Sequence, residues 1–370
     1  LQKLIQKMTE KNETCKFHEG AKAIDDFIIN NLSQIYIPIT RGELWDESEE
    51  KKNRRLAIYA VLSEVLKTLD ILIHPFCPFT SENLYQTVFE GKQSILLDKW
   101  PQYQESRVDE EIEESFDIMK DVVSISSAAR MKGKLKRRWP LNEAQICVKK
   151  NQKAKLESLS DLLKSQLNVE KFNIIETEED SGLEQLLELK KLGLPVKVTL
   201  ELERKKIGPK AKQHMGKLVS TFLETNPDEI IPILEKDGKY DFNIDDQKIS
   251  LDKEDFIVDF DAGDNFAVAK RDDFTVFIST LRNKEMMAKG LVKDIARRLQ
   301  TLRKERGYNP TDVLEVASIL ELDNESLEMI KGRDEELAFL VRVKKVNFEK
   351  SCKEYKEDDI DGQKIKISVE

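Results

Sequence analysis

The chain has 370 residues, too long for one ordinary hydrophobic core, so two or three domains are expected. Hydrophobic residues make up 39% and charged residues 35%, and Lys and Glu break every apolar run before it could span a bilayer, which excludes a transmembrane reading. The formal net charge of −9 argues against a protein that coats nucleic acid through its overall charge.

The opening L-Q-K-L-I-Q-K-M has neither an initiator Met nor the order of a signal peptide, and reads as the start of an excised fragment. Ala21, Ile24, Ile28, Leu32 and Ile35 fall on one helical line. Over 55–73, Ile58, Leu62, Val65, Leu69 and Leu72, with Tyr59, Leu66 and Ile73 beside them, predict a helix central to a bundle. Pro75 and Pro78 stop it, and Thr80 is placed to cap the next helix. Ile112, Phe116, Met119 and Val123 give a further helix running toward a basic stretch. Residues 1–139 therefore read as an antiparallel all-α helical bundle.

Beyond Trp139 and Pro140 the pattern changes. A strand at 144–148, a helix at 156–167 and a strand at 172–175 suggest a small β-α-β-like domain over 140–206. Residues 196–202 alternate as a strand, and Gly208-Pro209 opens a helix carrying Leu218, Val219, Phe222 and Leu223. Strands at 240–244, 248–251, 256–260, 266–269 and 274–278 are expected to pair as one antiparallel sheet. A long helix at 284–306 ends at Gly307 with Pro310 beyond it. A strand at 314–320, a helix at 326–343 and strands at 346–348 and 365–369 complete an α+β region over 207–370.

Missing motifs narrow the chemistry. There is no G-x-G-x-x-G, no G-x-x-x-x-G-K-[ST], no H-E-x-x-H and no G-x-S-x-G, so no catalytic or metal-ligating residue is assigned. Cys15, Cys77, Cys147 and Cys352 lie far apart and read as reduced, buried thiols of a cytoplasmic protein.

Charge is gathered locally. The nine residues 130–138 hold six bases, Arg130, Lys132, Lys134, Lys136, Arg137 and Arg138, and no acid. Cations at a helix C-terminus are favoured by the helix dipole in any case, yet six neighbours repel one another unless a polyanion or facing acids neutralise them. Trp139 beside them could stack a base, although an aromatic there is more often a core residue. Between Lys289 and Arg306 the long helix carries seven bases against Asp294 and Glu305, with Lys289, Lys293, Arg297 and Lys304 roughly opposite Leu291, Ile295, Leu299 and Leu302. Lys210, Lys212 and Lys217 form a weaker third patch.

The stretches F-H-E-G-A-K-A-I-D-D-F-I-I-N-N-L-S-Q-I-Y-I (17–37) and L-I-H-P-F-C-P-F-T-S-E-N-L-Y (72–85) resemble the anticodon-binding helical bundle of class Ia aminoacyl-tRNA synthetases. By themselves they leave the valyl, leucyl and isoleucyl families open. K-L-K-R-R-W-P-L (134–141), I-G-P-K-A-K (207–212), D-F-I-V-D-F with F-A-V-A and F-T-V-F-I (255–278), and G-L-V-K-D-I-A-R-R-L-Q-T-L-R-K-E-R-G (290–307) resemble the isoleucyl family of the archaeal and eukaryotic-cytosolic type. The family pattern S-R-W-Y-I-R is altered here, where 33–38 keeps Tyr36, followed by Arg41 and Trp45.

The resemblance implies a multidomain C-terminal region, an anticodon-binding bundle with α+β appended domains. It would bind isoleucine tRNAs as a cytoplasmic monomer and catalyse nothing alone. ATP and Mg²⁺ would serve catalytic and editing domains outside this stretch, and no cofactor is expected within it. Phosphate contacts are expected from Arg41, Lys132, Lys134, Lys136, Arg137 and Arg138 on the bundle side. On the appended side they are expected from Lys210, Lys293, Arg297, Arg298, Arg303 and Lys304, with Trp139 the candidate for stacking. A module docking on acidic protein surfaces is the competing expectation.

Overall fold

The computed structural model describes residues 1–44, 46, 48–89, 93–179, 181–245, 247–348, 354–360 and 362–370. The chain forms two compact units, Leu1–Glu113 and Glu114–Glu370.

In the first unit the described regular elements are all helical. The longer ones are α1 (Gln2–Glu13), α2 (Phe17–Asp26), a π-helical segment (Phe27–Tyr36), α3 (Ile37–Leu44), α4 (Lys52–Ile73) and α5 (Pro78–Val88), with short 3-10 turns at Glu49–Lys51, Ile95–Leu97 and Glu105–Arg107. Leu4, Ile5 and Met8 of α1 meet Ala23 and Ile24 of α2 and Leu69 and Leu72 of α4 in a small core. Trp100 closes it, its indole N–H donating to Thr9 Oγ1 at 2.9 Å. Helix α4 is less central than its periodicity suggests: Ile58, Leu69, Asp70 and Leu72 are buried, whereas Tyr59 and Leu66 of the expected face are exposed. Helix α5 starts at Pro78, two residues before the expected Thr80 cap, because proline fits the first helical position, where no N–H partner is needed.

The division between units falls one turn into α6 (Glu110–Lys132), earlier than the boundary expected at Trp139. Its buried stripe is Ser115, Ile118, Met119, Val122, Ile125, Ser126, Ala129 and Arg130. The second unit continues with β1 (Leu141–Val148), α7 (Lys150–Glu157), α8 (Ser160–Leu167), β2 (Val169–Glu176), α9 (Gly182–Lys191) and β3 (Val196–Leu202). Then come α10 (Arg204–Ala211), α11 (Met215–Glu224), α12 (Pro227–Asp237), β4 (Lys239–Ile244), β5 (Gln247–Asp252), β6 (Phe256–Ala262), β7 (Phe266–Arg271) and β8 (Phe274–Ser279). The chain closes with α13 (Lys284–Glu305), β9 (Leu314–Leu320), α14 (Asn324–Ile330), α15 (Asp334–Val341), β10 (Val343–Asn347), β11 (Lys356–Ile360) and β12 (Gln363–Val369).

The five short strands expected in one antiparallel sheet are distributed over three. β4 pairs with β5, β6 returns to β3, and β7 and β8 join β1 and β2. The β3–β6 pairing and one continuous apolar core from Cys147 to Phe277 run across the boundary expected near residue 206.

The second unit uses one topology twice. The first sheet has the order β2-β1-β8-β7, with β1 parallel to β2 and β8 antiparallel to β1 and β7. The C-terminal sheet has the order β10-β9-β12-β11, with β9 parallel to β10 and β12 antiparallel to β9 and β11. A long helix precedes each first strand, α6 before β1 and α13 before β9, and two short helices link each parallel pair. Leu141, Ala144 and Ile146 are buried in β1 as Leu314, Ala317 and Ile319 are in β9. In each copy a left-handed residue turns the second short helix into the parallel strand, Asn168 (φ +51°) in one and Arg342 (φ +57°) in the other.

Candidate nucleic-acid interface

Helix α6 ends on a guanidinium that is not available to a ligand. Arg130 is 3% exposed and donates to four carbonyls, those of Lys136 (3.1 Å), Trp139 (2.9 Å), Leu167 (2.8 Å) and Asn168 (3.1 Å). Burial, with Arg137 and Arg282 nearby, lowers it to about 10. Around it the chain leaves the helix through Lys134, which is left-handed at φ +53°. Asn168 Nδ2 donates to the carbonyls of Arg137 and Arg138, fixing the far side of the loop.

Asp294, on α13 and 2% exposed, holds the loop's inner face. Lys136 Nζ and Trp139 Nε1 each donate to its Oδ2 at 2.9 Å, and Arg138 Nη1 donates to Oδ1 at 2.9 Å. Burial acts to raise this carboxyl, but those donors and charges bring it below the usual carboxylate range. The Trp139 ring is 7% exposed, with Arg282 and Lys136 over it at 4.9 and 5.2 Å, and Gly290 of α13 lies against it. Base stacking on Trp139, a sequence expectation, has no free ring face here; the residue is a core residue of the loop.

The loop thus sorts its cations. Lys136 and Arg138 share the single carboxylate of Asp294, whereas Lys132, Lys134 and Arg137 are exposed and make no ion pair among the described residues.

Helix α13 sorts its own in the same way. Arg303, expected at the phosphate surface, is 5% exposed and donates to the carbonyls of Val341, Arg342 (3.0 Å), Asn309 (3.2 Å) and Asp312 (2.7 Å), repeating the part of Arg130 in the second copy of the motif. Arg298 is spent on the Asp294 carbonyl (3.0 Å), the Asp359 carbonyl and the Asp358 carboxylate (3.5 Å). Lys289 pairs with Glu285 and Glu170. Lys293 is half-buried beside Asn168 Oδ1 at 3.5 Å, and burial lowers its pKa. Arg297 and Lys304 remain exposed and make no ion pair among the described residues.

Sequence comparison is specific at this point. Residues 1–146 match the family described as the anticodon-binding domain of tRNA ligase. Isoleucine–tRNA ligases of Sulfolobus acidocaldarius, Methanothrix thermoacetophila and Pyrococcus furiosus are each 27% identical, over 93%, 99% and 94% of this chain. The chain is homologous to isoleucyl-tRNA synthetases. It spans about a third of the length of those relatives, 31%, 34% and 31% respectively, and fits their C-terminal region.

Elsewhere in this synthetase homologue the expected cations differ in availability. Lys210 of α10 is held by Asp252 Oδ2 at 2.7 Å and by Asp255, whose hydrogen bonds raise its pKa. Arg41 lies exposed on α3, just past the π-helical segment, and makes no ion pair among the described residues, while Trp45 falls outside them. Cys15 and Cys77 are exposed and only Cys147 is buried, so the expectation of buried thiols holds for one; Cys352 falls outside the described residues. No described helix is long and apolar enough to cross a membrane.

Asp294 and Asn168, the two anchors of the basic loop, were not singled out as functional from sequence. A lone Asp in a basic amphipathic helix was the available signal for the first. For the second, the signal was an Asn after an apolar helical run.

Proposed function

We propose that this chain is the tRNA-binding C-terminal region of an isoleucyl-tRNA synthetase, gripping tRNA while catalytic and editing domains elsewhere in the protein do the chemistry. The match of residues 1–146 to an anticodon-binding domain carries this reading. The helices of the first unit are taken as the antiparallel bundle of class Ia enzymes. The unpaired cations Lys132, Lys134, Arg137, Arg297, Lys304 and Arg41 supply sequence-independent phosphate contacts. On this reading the chain is non-catalytic, works in the cytoplasm as a monomer, and leaves ATP and Mg²⁺ to the catalytic domain. Its nucleic-acid ligands are the isoleucine isoacceptors.

Binding of the chain to an isoleucine tRNA and to the same tRNA carrying a valine anticodon tests the assignment. Exchange of the anticodon should weaken binding about tenfold or more, equivalent to about 1.4 kcal/mol. Equal affinities would remove the isoleucyl assignment, and no preference for tRNA over poly(U) would remove the tRNA reading.

A further inference from the structure

The duplicated motif of the second unit supplies an internal control for the basic loop. Arg130 in the first copy and Arg303 in the second each donate to four carbonyls, two in the loop that follows and two at the turn from the second short helix into the parallel strand. Counting outward from these arginines, the loop positions held by Lys132, Lys134, Lys136, Arg137 and Arg138 in the first copy are held by Glu305, Gly307, Asn309, Pro310 and Thr311 in the second. The same backbone therefore closes without a single one of these cations. Their presence in the first loop is not demanded by the fold.

Two of the five have a structural use in this copy alone, because Lys136 and Arg138 sit on Asp294. The other three have none among the described residues. Lys134 is the sharpest case. At its place the second copy has Gly307, left-handed at φ +80°, the residue that takes this conformation without steric penalty, whereas Lys134 adopts φ +53° against the preference of an L side chain. An unfavourable backbone conformation is thus retained to place an ammonium at the tip of a loop fastened by Arg130, Asn168 and Asp294.

We infer that Lys132, Lys134 and Arg137 form a preorganised cradle for the phosphate backbone of RNA, and that Lys136 and Arg138 are positioning residues that hold the loop through Asp294 without touching the ligand. This rests on the tRNA-binding reading and divides its labour among particular side chains. A fastened loop fits the partner, because backbone held in place before binding loses less freedom on meeting a phosphate than a mobile loop would.

The test titrates binding of the whole chain to tRNA and to poly(U) against salt, for the parent and for Lys132→Gln, Lys134→Gly, Arg137→Gln, Lys136→Gln and Arg138→Gln. Each of the first three should reduce the slope of log affinity against log salt by about one for both RNAs. Lys134→Gly should do so with a melting temperature no lower than the parent's, which a structural role would not give. Lys136→Gln and Arg138→Gln should lower the melting temperature and leave the slope at the parent value. A slope unchanged in the first three, or lowered equally in the last two, overturns the cradle while the parent still binds. A parent that binds poly(U) as well as tRNA removes the tRNA reading, yet the variant slopes still judge the cradle. A parent that binds neither removes both.

Discussion

Asp70 on α4 is a carboxyl in the wrong place for a charge. It is 5% exposed, and its Oδ2 makes no hydrogen bond among the described residues. Burial pushes it up to about 6, opposed by charge on His74 and assisted by Glu82. A folded-state value above the unfolded one means that the native chain holds a proton the unfolded chain has lost. The stabilising contribution is therefore complete below about pH 4 and is lost as pH rises through about 6. Asp70→Asn should consequently raise stability at pH 8 by about 1–3 kcal/mol and change little at pH 4; urea midpoints at the two pH values check this. Arg130 makes the opposite case. Arg130→Lys cannot span four carbonyls and should lower unfolding free energy by about 2–4 kcal/mol, read from the same urea curves. Such residues mark the limit of sequence reading. The density of bases over 130–138 was visible, but whether each faced a carbonyl, a carboxylate or solvent depended on Asn168 and Asp294, distant in the chain. Arg303 looked like another surface cation because its four carbonyls lie on other elements.

Among elements, strands were more legible than their pairing. Period-two alternation placed 196–202 where β3 lies, the strand expected at 314–320 is β9, and the parallel β1–β2 unit follows the expected β-α-β order. Strand β11 was missed because K-E-D-D-I carries no apolar alternation until Ile360. The helix expected over 326–343 breaks into α14 and α15 at Gly332, which is left-handed at φ +81°. Gly208-Pro209 lies inside α10, and the apolar residues assigned to the same helix belong to α11. Helix α13 was read almost to its ends, yet the reason for its Gly290 was not apparent. A methyl there would come within 2.8 Å of three ring carbons of Trp139. Alanine improves helix propensity by about 1 kcal/mol, but overpacking typically costs 1–3 kcal/mol, so Gly290→Ala should destabilise. Thermal melts of the parent and the variant test the balance.

For the molecule as a whole, the second unit has cores built entirely of its own side chains, one around Leu186, Leu218 and Phe277 and another around Leu299, Ile319 and Ile367. A chain beginning at Val108 keeps all of α6 and should fold cooperatively, with Trp139, its one tryptophan, emitting from a buried site. A broad, non-cooperative urea transition would contradict this. The overall charge of −9 pointed away from RNA, and the relevant cations emerged only when the paired ones were set aside. The duplication was hidden for a related reason: its two halves share few residue types, and the span between β2 and β7 interrupts the first copy. Once seen, it makes the second unit a scaffold with an interchangeable rim. Transplanting the charges, by Glu305→Lys, Gly307→Lys and Pro310→Arg, should create a second RNA-gripping station on the C-terminal sheet and steepen the salt dependence accordingly. The architecture would then be a tunable chassis, its grip set by how many of its equivalent corners are electrified.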